Sequence, residues 1–345
     1  MSASVHIAIL IALESCFLKG LTMLIHWRIA DWAQARGLIP PWQNGFRAGY
    51  RTNNNPFILR CAKEWARAHG YTLYVAAVDA SNAFPSTDQP TLWLKLFRLG
   101  MGGAIFDWLR MLYRRMAYYA KHGDSESAAF KAFIELLTGD PASPILSNLF
   151  LADLVIMPDK DDVFLATVRI SLLAQADDLL LFSISARGLQ AKLLTLESWC
   201  ARNFLLINMI KTIILIFGKV SQPLPVFMLG ANTPEIKMEE KYVGVTFRTD
   251  SRNIVAAHYQ AKARAARYCG HRIMAIEDMT GRLTPKELKE LYMARVDCHL
   301  IHGCEISPDS EDVHVKQLSK VQTWWVWADA ERGDGEYFSW KPTGP

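Results

Sequence analysis

The chain has 345 residues, of which 51% are hydrophobic and 21% are charged, and its formal net charge is +4. This composition is typical of a folded globular protein and excludes collagen-like and charge-rich disordered chains. The slight positive charge permits nucleic-acid binding but is too small to indicate it. The length predicts two or three structural units, and the six scattered cysteines show no disulfide pattern, which favours a reducing compartment.

The first part of the chain combines predicted helices with one strand. In chain order, the patterns predict a helix over 5–37, a turn-rich stretch over 43–55, a helix over 56–69, a strand over 73–78, and helices over 91–119 with a break at 100–103. The apolar run before Glu14 is short and has no basic N-terminal region, so it predicts neither a signal peptide nor a transmembrane helix. We therefore expect an intracellular protein, either cytoplasmic or nuclear.

The second part begins with a Gly/Pro loop and ends almost entirely helical. Its predicted segments are a loop over 139–144, a helix over 145–155, strands over 170–175 and 179–184, a helix over 189–203, strands over 213–217 and 242–247, and helices from 256 onward. Mixed helices and paired strands of this kind predict an α+β fold.

Two adjacent carboxylates, Asp177 and Asp178, lie between the apolar runs at 170–175 and 179–184. The runs predict a hairpin with both carboxylates at its tip. Asp79 ends another apolar strand, and if that strand neighbours the hairpin, three carboxylates can bind two Mg²⁺ ions for phosphoryl transfer. Spacing alone does not establish that the strands are neighbours, and an ordinary polar hairpin tip is the alternative.

Six short blocks around these aspartates occur in a characteristic order. They are QNGFR at 43–47, DASNAF at 79–84, GDPASP at 139–144, ADD at 176–178, NMIKT at 208–212 and YVG at 242–244. This series resembles the reverse transcriptase domain of non-LTR retrotransposons, particularly the fungal type, over about residues 14–305. Each block is only moderately specific, whereas six in the same order form a strong resemblance.

The resemblance implies a role for several of these residues. Asp79, Asp177 and Asp178 match the metal-binding carboxylates, with Mg²⁺ or Mn²⁺ as the cofactor. Lys211 matches a lysine near the triphosphate that can protonate pyrophosphate; an exposed surface lysine is the alternative. Phe84 matches the aromatic residue that lies under the sugar and disfavours a 2′-hydroxyl, and a plain core aromatic is its alternative.

Two polar loops complete the implied site. Gly139, Pro141, Ser143 and Pro144 match a loop that lies against the template and the incoming nucleotide, although such residues also make ordinary helix-entry turns. Two arginines occupy the positions at which the fingers bind triphosphate or template, and scattered arginines are also common in polar loops. These arginines are Arg47 and Arg51.

Three positions depart from the family pattern. Gln175 replaces a usual aromatic residue, Thr138 replaces a usual glutamine, and Glu135 lies where glycine is common. Each change can weaken primer or template contacts, but none removes a metal ligand. A separate acidic group offers a competing metal site, although a solvated loop is the better interpretation of it. Its members are Asp159, Asp161 and Asp162.

Two features near the C-terminus permit alternative functions. Cys298, His299, His302 and Cys304 have no recognised zinc spacing, so buried cysteines on a helix packing face are the better interpretation. Residues 251–276 contain five basic and no acidic residues. Three of its side chains share one predicted helix face that can contact a nucleic-acid backbone or simply face solvent. They are Arg264, Arg267 and His271.

The resemblance implies a right-hand polymerase with fingers, an antiparallel palm sheet and a helical thumb. We expect residues 1–250 to form fingers and palm, with the palm at 71–95 and 139–250, and residues 251–345 to form a thumb-like region and tail. The expected activity is RNA-directed DNA polymerisation with an RNA template, a DNA primer and dNTPs, and without a membrane. The alternatives are a decayed remnant that only binds nucleic acid and an RNA-directed RNA polymerase, against which Phe84 argues.

Overall fold

The structure, a computed structural model, describes residues 14–79, 86–122, 124–131, 135–220, 222–306 and 312–330. The chain divides into two units between Lys237 and Met238. Among the described residues, no helix combines the length and the apolar character needed to cross a membrane. The names fingers, palm and thumb remain predictions for segments of these units.

The first unit contains six helices and nine strands among its described residues. The helices are α1 (Cys16–Ala35), α2 (Asn54–Ala68), α3 (Gln89–Arg98), α4 (Ala104–Arg115), α5 (Ser143–Leu151) and α6 (Ala186–Arg202). The strands are β1 (Leu73–Asp79), β2 (Lys121–His122), β3 (Ser125–Glu126), β4 (Val163–Leu165), β5 (Val168–Ile170), β6 (Leu172–Gln175), β7 (Asp178–Ser183), β8 (Ile213–Phe217) and β9 (Glu235–Lys237).

A five-stranded sheet in the order β6-β7-β1-β8-β9 is the centre of this unit. Its strands are antiparallel except for the parallel pair β8 and β9. Every residue of β8 is buried, and β7 is buried beyond its first residue, as expected for apolar runs covered on both faces. The predicted hairpin and the strand over 73–78 are confirmed, and β7 pairs directly with β1.

Buried Lys192 attaches helix α6 both to this sheet and to the loop before β4. Lys192 Nζ lies 2.5 Å from Asp162 Oδ1 and also donates to the carbonyl oxygen of Phe182 in β7 at 2.5 Å. The side chains of Lys192 and Asp162 are 4% and 1% exposed, so the solvated-loop interpretation is wrong for Asp162. A charge this deeply buried requires its partner, because an isolated one would be strongly destabilising.

The second unit is mostly helical. Its elements are β10 (Glu239–Tyr242), β11 (Val245–Arg248), α7 (Ala256–Thr280), α8 (Pro285–Tyr292), a π-helical turn (Met293–Asp297), α9 (Cys298–Leu300), a 3₁₀ turn (Cys304–Ile306) and α10 (Asp312–Ala330). The single strand predicted over 242–247 is instead parts of two strands. Val243 and Gly244, with φ of 46° and 82°, turn the chain between β10 and β11.

A buried histidine connects two parts of the second unit. His258 is 2% exposed; its Nε2 lies 3.0 Å from the carbonyl oxygen of His302, and its Nδ1 accepts from the Thr246 N–H at 3.5 Å. One nitrogen therefore donates and the other accepts, which suits the neutral ring. Burial, followed by the positive charges of Lys262 and Lys241, lowers the pKa of His258 to about 4.

This depressed pKa predicts that acid destabilises the second unit. Above pH 6.5 the histidine is neutral in both folded and unfolded chains. As the pH falls from 6.5 to about 4, the unfolded chain binds a proton that the folded chain does not. The free energy of unfolding should then decrease by about 3 kcal/mol. Urea denaturation of wild type and His258→Gln at pH 7 and pH 4 tests this, and parallel pH curves for the two proteins would contradict it.

Candidate active site at the β6–β7 turn

The turn between β6 and β7 carries two of the predicted carboxylates. Gln175 pairs with Asp178, so the loop consists of Ala176 and Asp177 only. Ala176 has a φ of 60°, and a positive φ at the first loop residue is typical of a type II′ turn, where glycine is preferred. This tight turn places Asp177 at the tip and Asp178 at the first position of β7.

The third carboxylate lies opposite this turn. Asp79, the last residue of β1, pairs in register with Asp178. Directly opposed residues of antiparallel strands share one face, with their Cβ atoms about 4.5–5.5 Å apart. The structure thus brings together Asp79, Asp177 and Asp178, although the first is about a hundred residues from the others (177 minus 79 is 98).

Lys211 joins this group from the turn before β8. Its Nζ lies 3.4 Å from Asp79 Oδ2, and its side chain is 66% exposed. The turn is tied to β1, because the Asn208 N–H donates to the Asp79 carbonyl oxygen at 2.9 Å. The Asn208 side-chain oxygen accepts from the N–H groups of Ile210 and Lys211 at 3.2 and 3.3 Å. Asn208 therefore positions Lys211, a role that sequence reasoning did not assign.

The carboxylates destabilise one another. Burial, then the charges of Asp177 and Asp79, raise the pKa of Asp178 to about 6, while Lys211 opposes the shift. Burial also raises the pKa of Asp177, and Asp79 adds to this rise. Half-buried carboxylates that repel one another are an environment in which a cation is strongly favoured.

The donor set suits a hard divalent cation. Among the described residues, no three His, Cys, Asp or Glu side chains already form a metal-binding group. Carboxylate oxygens from Asp79 and Asp177, with phosphate and water oxygens, can complete the octahedral shell that Mg²⁺ prefers. A bound cation would favour the ionised form of Asp178 and so oppose the rise of its pKa.

The Gly/Pro loop over 139–144 enters helix α5. Gly139 is exposed with a φ of 110°, Pro141 and Pro144 are partly exposed, and Ser143 is only 1% exposed. The loop can present Gly139 to a ligand, whereas Ser143 in this arrangement is covered. Its template contact remains a prediction.

Arg47 contributes to the order of its own loop. Its Nη1 donates to the carbonyl oxygens of Pro40 and Gln43 at 3.2 and 3.0 Å, and its guanidinium lies 4.3 Å from the Tyr50 ring centre. Arg51 is exposed. Triphosphate binding by either arginine remains a prediction, and Phe84, the predicted sugar contact, lies outside the described residues.

One departure from the family pattern has a backbone explanation. Glu135 has a φ of 149°, which favours glycine, the residue common at this position. Its N–H donates to the Thr87 carbonyl oxygen at 3.0 Å, and its carbonyl accepts from Gln89 Nε2 at 3.1 Å, so the backbone is held there. Burial raises the pKa of its carboxyl group.

We expect Glu135→Gly to stabilise the protein. The variant keeps both backbone hydrogen bonds and removes the strain of a side chain at positive φ, for a net gain of about 1 kcal/mol. Glu135→Ala is the matched control, because it removes the carboxylate but retains Cβ. Denaturant unfolding should rank Gly above Ala, and equal stabilities would contradict the strain argument.

The cysteine and histidine residues near the C-terminus do not share one centre. Cys298 and Cys304 are exposed, so the buried-cysteine interpretation is wrong. His299 Nε2 lies 3.6 Å from Cys269 Sγ, whereas the His302 ring packs against His258. No metal-binding group of three occurs here or elsewhere in the described part of the chain.

Helix α7 has an exposed basic face. Arg264, Arg267 and His271 are all exposed, as their spacing predicted. Between them lies Tyr268, which is 61% exposed and accepts a hydrogen bond from Arg272 Nη1 at 3.2 Å. Guanidinium groups beside an exposed aromatic ring suit a phosphate backbone and its bases.

Residues 9–273 match the family model described as reverse transcriptase (RNA-dependent DNA polymerase). The chain belongs to this family. It is 29% identical over 305 residues to a Drosophila melanogaster protein named "Probable RNA-directed DNA polymerase from transposon BS", covering 84% of this chain and 32% of that protein. It is 25% identical over 174 residues to the Pol polyprotein of the type-1 retrotransposable element R2 from Nasonia vitripennis, covering 50% of this chain and 17% of that protein.

These matches confirm the resemblance to reverse transcriptases of non-LTR retrotransposons. The reverse transcriptase chain spans about a third or less of the length of these curated relatives. Its fold is similar to that of telomerase from Candida albicans, with a TM-score of 0.53 and 10% identity over 91% of this chain and 56% of that one. This similarity confirms the right-hand polymerase fold; the roles of individual site residues remain predictions.

Proposed function

We propose that this reverse transcriptase chain is an RNA-directed DNA polymerase that adds dNTPs to a DNA primer on an RNA template. The observation that carries the proposal is the convergence of Asp79, Asp177 and Asp178 from two paired strands, with Lys211 beside them. The family uses divalent metals, and Mg²⁺ or Mn²⁺ is the proposed cofactor.

The residues would divide the work of nucleotide addition. Asp79 and Asp177 would bind the ions directly. The negative charge of Asp178 beside them would further stabilise the bound ions. Bound Mg²⁺ supplies charge neutralisation and lowers the pKa of the attacking primer 3′-hydroxyl. Lys211, exposed and 3.4 Å from Asp79, would approach the triphosphate and protonate the departing pyrophosphate.

Other predicted residues would bind substrate. Gly139 in its exposed turn would let the template and nucleotide approach the backbone, with Pro141 and Ser143 shaping the loop. Arg47 would face the triphosphate or template. The exposed basic face of α7 would contact a nucleic-acid backbone, and that contact should weaken as salt increases.

One observation favours the alternative of a decayed polymerase that only binds nucleic acid. Gln175 replaces the usual aromatic residue beside the aspartates, and its Oε1 is buried without a hydrogen-bond partner among the described residues. A buried unsatisfied oxygen destabilises its surroundings, here directly before the Ala176–Asp177 turn.

Primer extension on an RNA template tests the proposal. Purified wild type should extend a DNA primer with dNTPs in Mg²⁺ and should stop when EDTA is added. Asp177→Asn, purified in parallel, excludes a contaminating polymerase if it is inactive. Extension that persists in this variant would contradict the assigned site. Binding of primer–template without extension by wild type would favour the decayed polymerase.

A further inference from the structure

A buried glutamine, Gln43, contacts both backbone groups of Ala176, the residue before Asp177. The Ala176 N–H donates to Gln43 Oε1 at 2.9 Å, and Gln43 Nε2 donates to the Ala176 carbonyl oxygen at 2.9 Å. Gln43 is 0% exposed. Its side-chain amide therefore satisfies both backbone polar groups of Ala176.

The backbone around Gln43 is itself attached to β6. The Ala174 N–H donates to the Trp42 carbonyl oxygen at 2.7 Å, and the Asn44 N–H donates to the Ala174 carbonyl oxygen at 2.8 Å. These bonds form a parallel bridge between Gln43 and Ala174. Residues 42–45 thus lie along the outer edge of β6 and end beside the turn that carries Asp177.

Several contacts hold the Gln43 side chain in this position. Its Oε1 also accepts from the Gly45 N–H at 2.8 Å, and Arg47 Nη1 donates to its main-chain carbonyl. The Gly45 carbonyl oxygen accepts from Asn148 Nδ2 of α5 at 2.9 Å. The segment therefore connects the turn to the helix that follows the Gly/Pro loop.

Gly45 is required by close packing rather than by its backbone conformation. A Cβ added at Gly45 would lie 2.2 Å from the Ala176 nitrogen and 2.8 Å from its Cα, so the turn would have to move. Glycine is the residue that allows two backbones to approach this closely.

We propose that Gln43 is a positioning residue for Asp177. Ala176 holds an unfavourable positive φ, and the bidentate amide fixes it there, which directs the following carboxylate toward Asp79. Without the amide the turn can relax into conformations that move the Asp177 oxygens away from the ion. Groups that orient metal ligands typically change metal affinity or activity by about 10–100-fold.

The test compares Gln43→Met with Gln190→Met. Methionine preserves the length of the side chain and removes both hydrogen bonds to Ala176, together with the one that Gly45 donates to Gln43. Gln190 on α6 is the control, because its side-chain amide makes the same two bonds to the backbone of Met228, both at 2.8 Å, and neither residue belongs to the aspartate group. If Gln43→Met does not fold, Gln43→Asn replaces it, since that variant keeps the amide but shortens its reach by one methylene.

Three measurements distinguish a role of Gln43 in positioning Asp177 from a role in the stability of the fold alone. In Gln43→Met, hydrogen exchange at the Ala176 amide should rise at least about tenfold because its acceptor is lost. Half-saturation by Mn²⁺, followed by electron paramagnetic resonance with Asp177→Asn as the blank, should require about 10–100 times more ion. The rate constant of extension should fall similarly, while the primer–template Kd stays within about twofold. Gln190→Met should leave all three unchanged.

This inference rests on the proposed function. The measurements therefore distinguish failure of the positioning role of Gln43 from failure of the proposed polymerase activity. Faster exchange with unchanged Mn²⁺ binding would overturn the positioning role, as would unchanged exchange at Ala176. Absence of extension by wild type would instead defeat the proposed function, and weaker Mn²⁺ binding by Gln43→Met would then still support the positioning role.

Discussion

Asp79→Asn should reduce primer extension by at least about 1,000-fold, because in the proposed function Asp79 holds the catalytic ion, and such a ligand contributes several kcal/mol to the transition state. Asp79 is the partner of Asp178 in the sheet register and lies 3.4 Å from Lys211. Asparagine preserves its shape but removes the charge. Single-nucleotide extension rates at saturating primer–template measure the loss.

The same substitution should leave the fold intact or stabilise it. Burial raises the pKa of both Asp177 and Asp178, and the Asp79 charge adds to the rise. Without that charge, the pKa of Asp178 should fall below its value of about 6, which an NMR titration of the carboxyl carbon can follow. The ion pair lost with the exposed Lys211 is worth at most about 1 kcal/mol.

Asp31→Asn provides the control for this variant. Asp31 is exposed on α1, so its replacement changes the net charge equally without affecting the carboxylate group. It should extend primers at the wild-type rate. An Asp79→Asn protein that is inactive and also unfolded would contradict the assignment of Asp79 to the chemistry, because its loss of activity would then be structural.

The largest loss of stability should follow Lys192→Met. Removing Lys192 leaves Asp162, whose side chain is 1% exposed, buried without its cation and leaves the Phe182 carbonyl without this donor. Breaking a buried ion pair in this way costs about 3–5 kcal/mol. Urea unfolding at pH 7 measures the change.

Two further variants test whether burial of the ion pair causes this loss of stability. Asp162→Leu combined with Lys192→Met should recover much of the loss, because a buried apolar pair of similar volume can replace an ion pair. Arg248→Met removes the 2.6 Å contact with Asp250, in which the side chains are 42% and 41% exposed, and should destabilise the protein far less, because solvent screens an exposed ion pair. Equal losses from Lys192→Met and Arg248→Met would contradict the importance of burial.

Local sequence patterns predicted most individual elements of the first unit. Branched apolar runs predicted β1, the β6–β7 hairpin and β8. Such runs favour buried strands, and they are visible in a few consecutive residues of the sequence. The pattern over 242–247 was misinterpreted, since the turn at Val243 and Gly244 depends on backbone angles of two residues inside an apolar run. Asp162 was misinterpreted because its partner Lys192 is thirty residues away.

The sequence by itself determined the family and the α+β class, and it also determined which three carboxylates are the candidates for the site. Asp79 and Asp178 occupy strand ends and Asp177 the turn between two strands, all marked by short apolar runs, and their order matches the family. Only the tertiary structure decided that Asp79 opposes Asp178 and that Gln43 contacts Ala176 across 133 positions. Such contacts form when the sheet assembles and chain segments far apart in sequence meet, so no local periodicity encodes them.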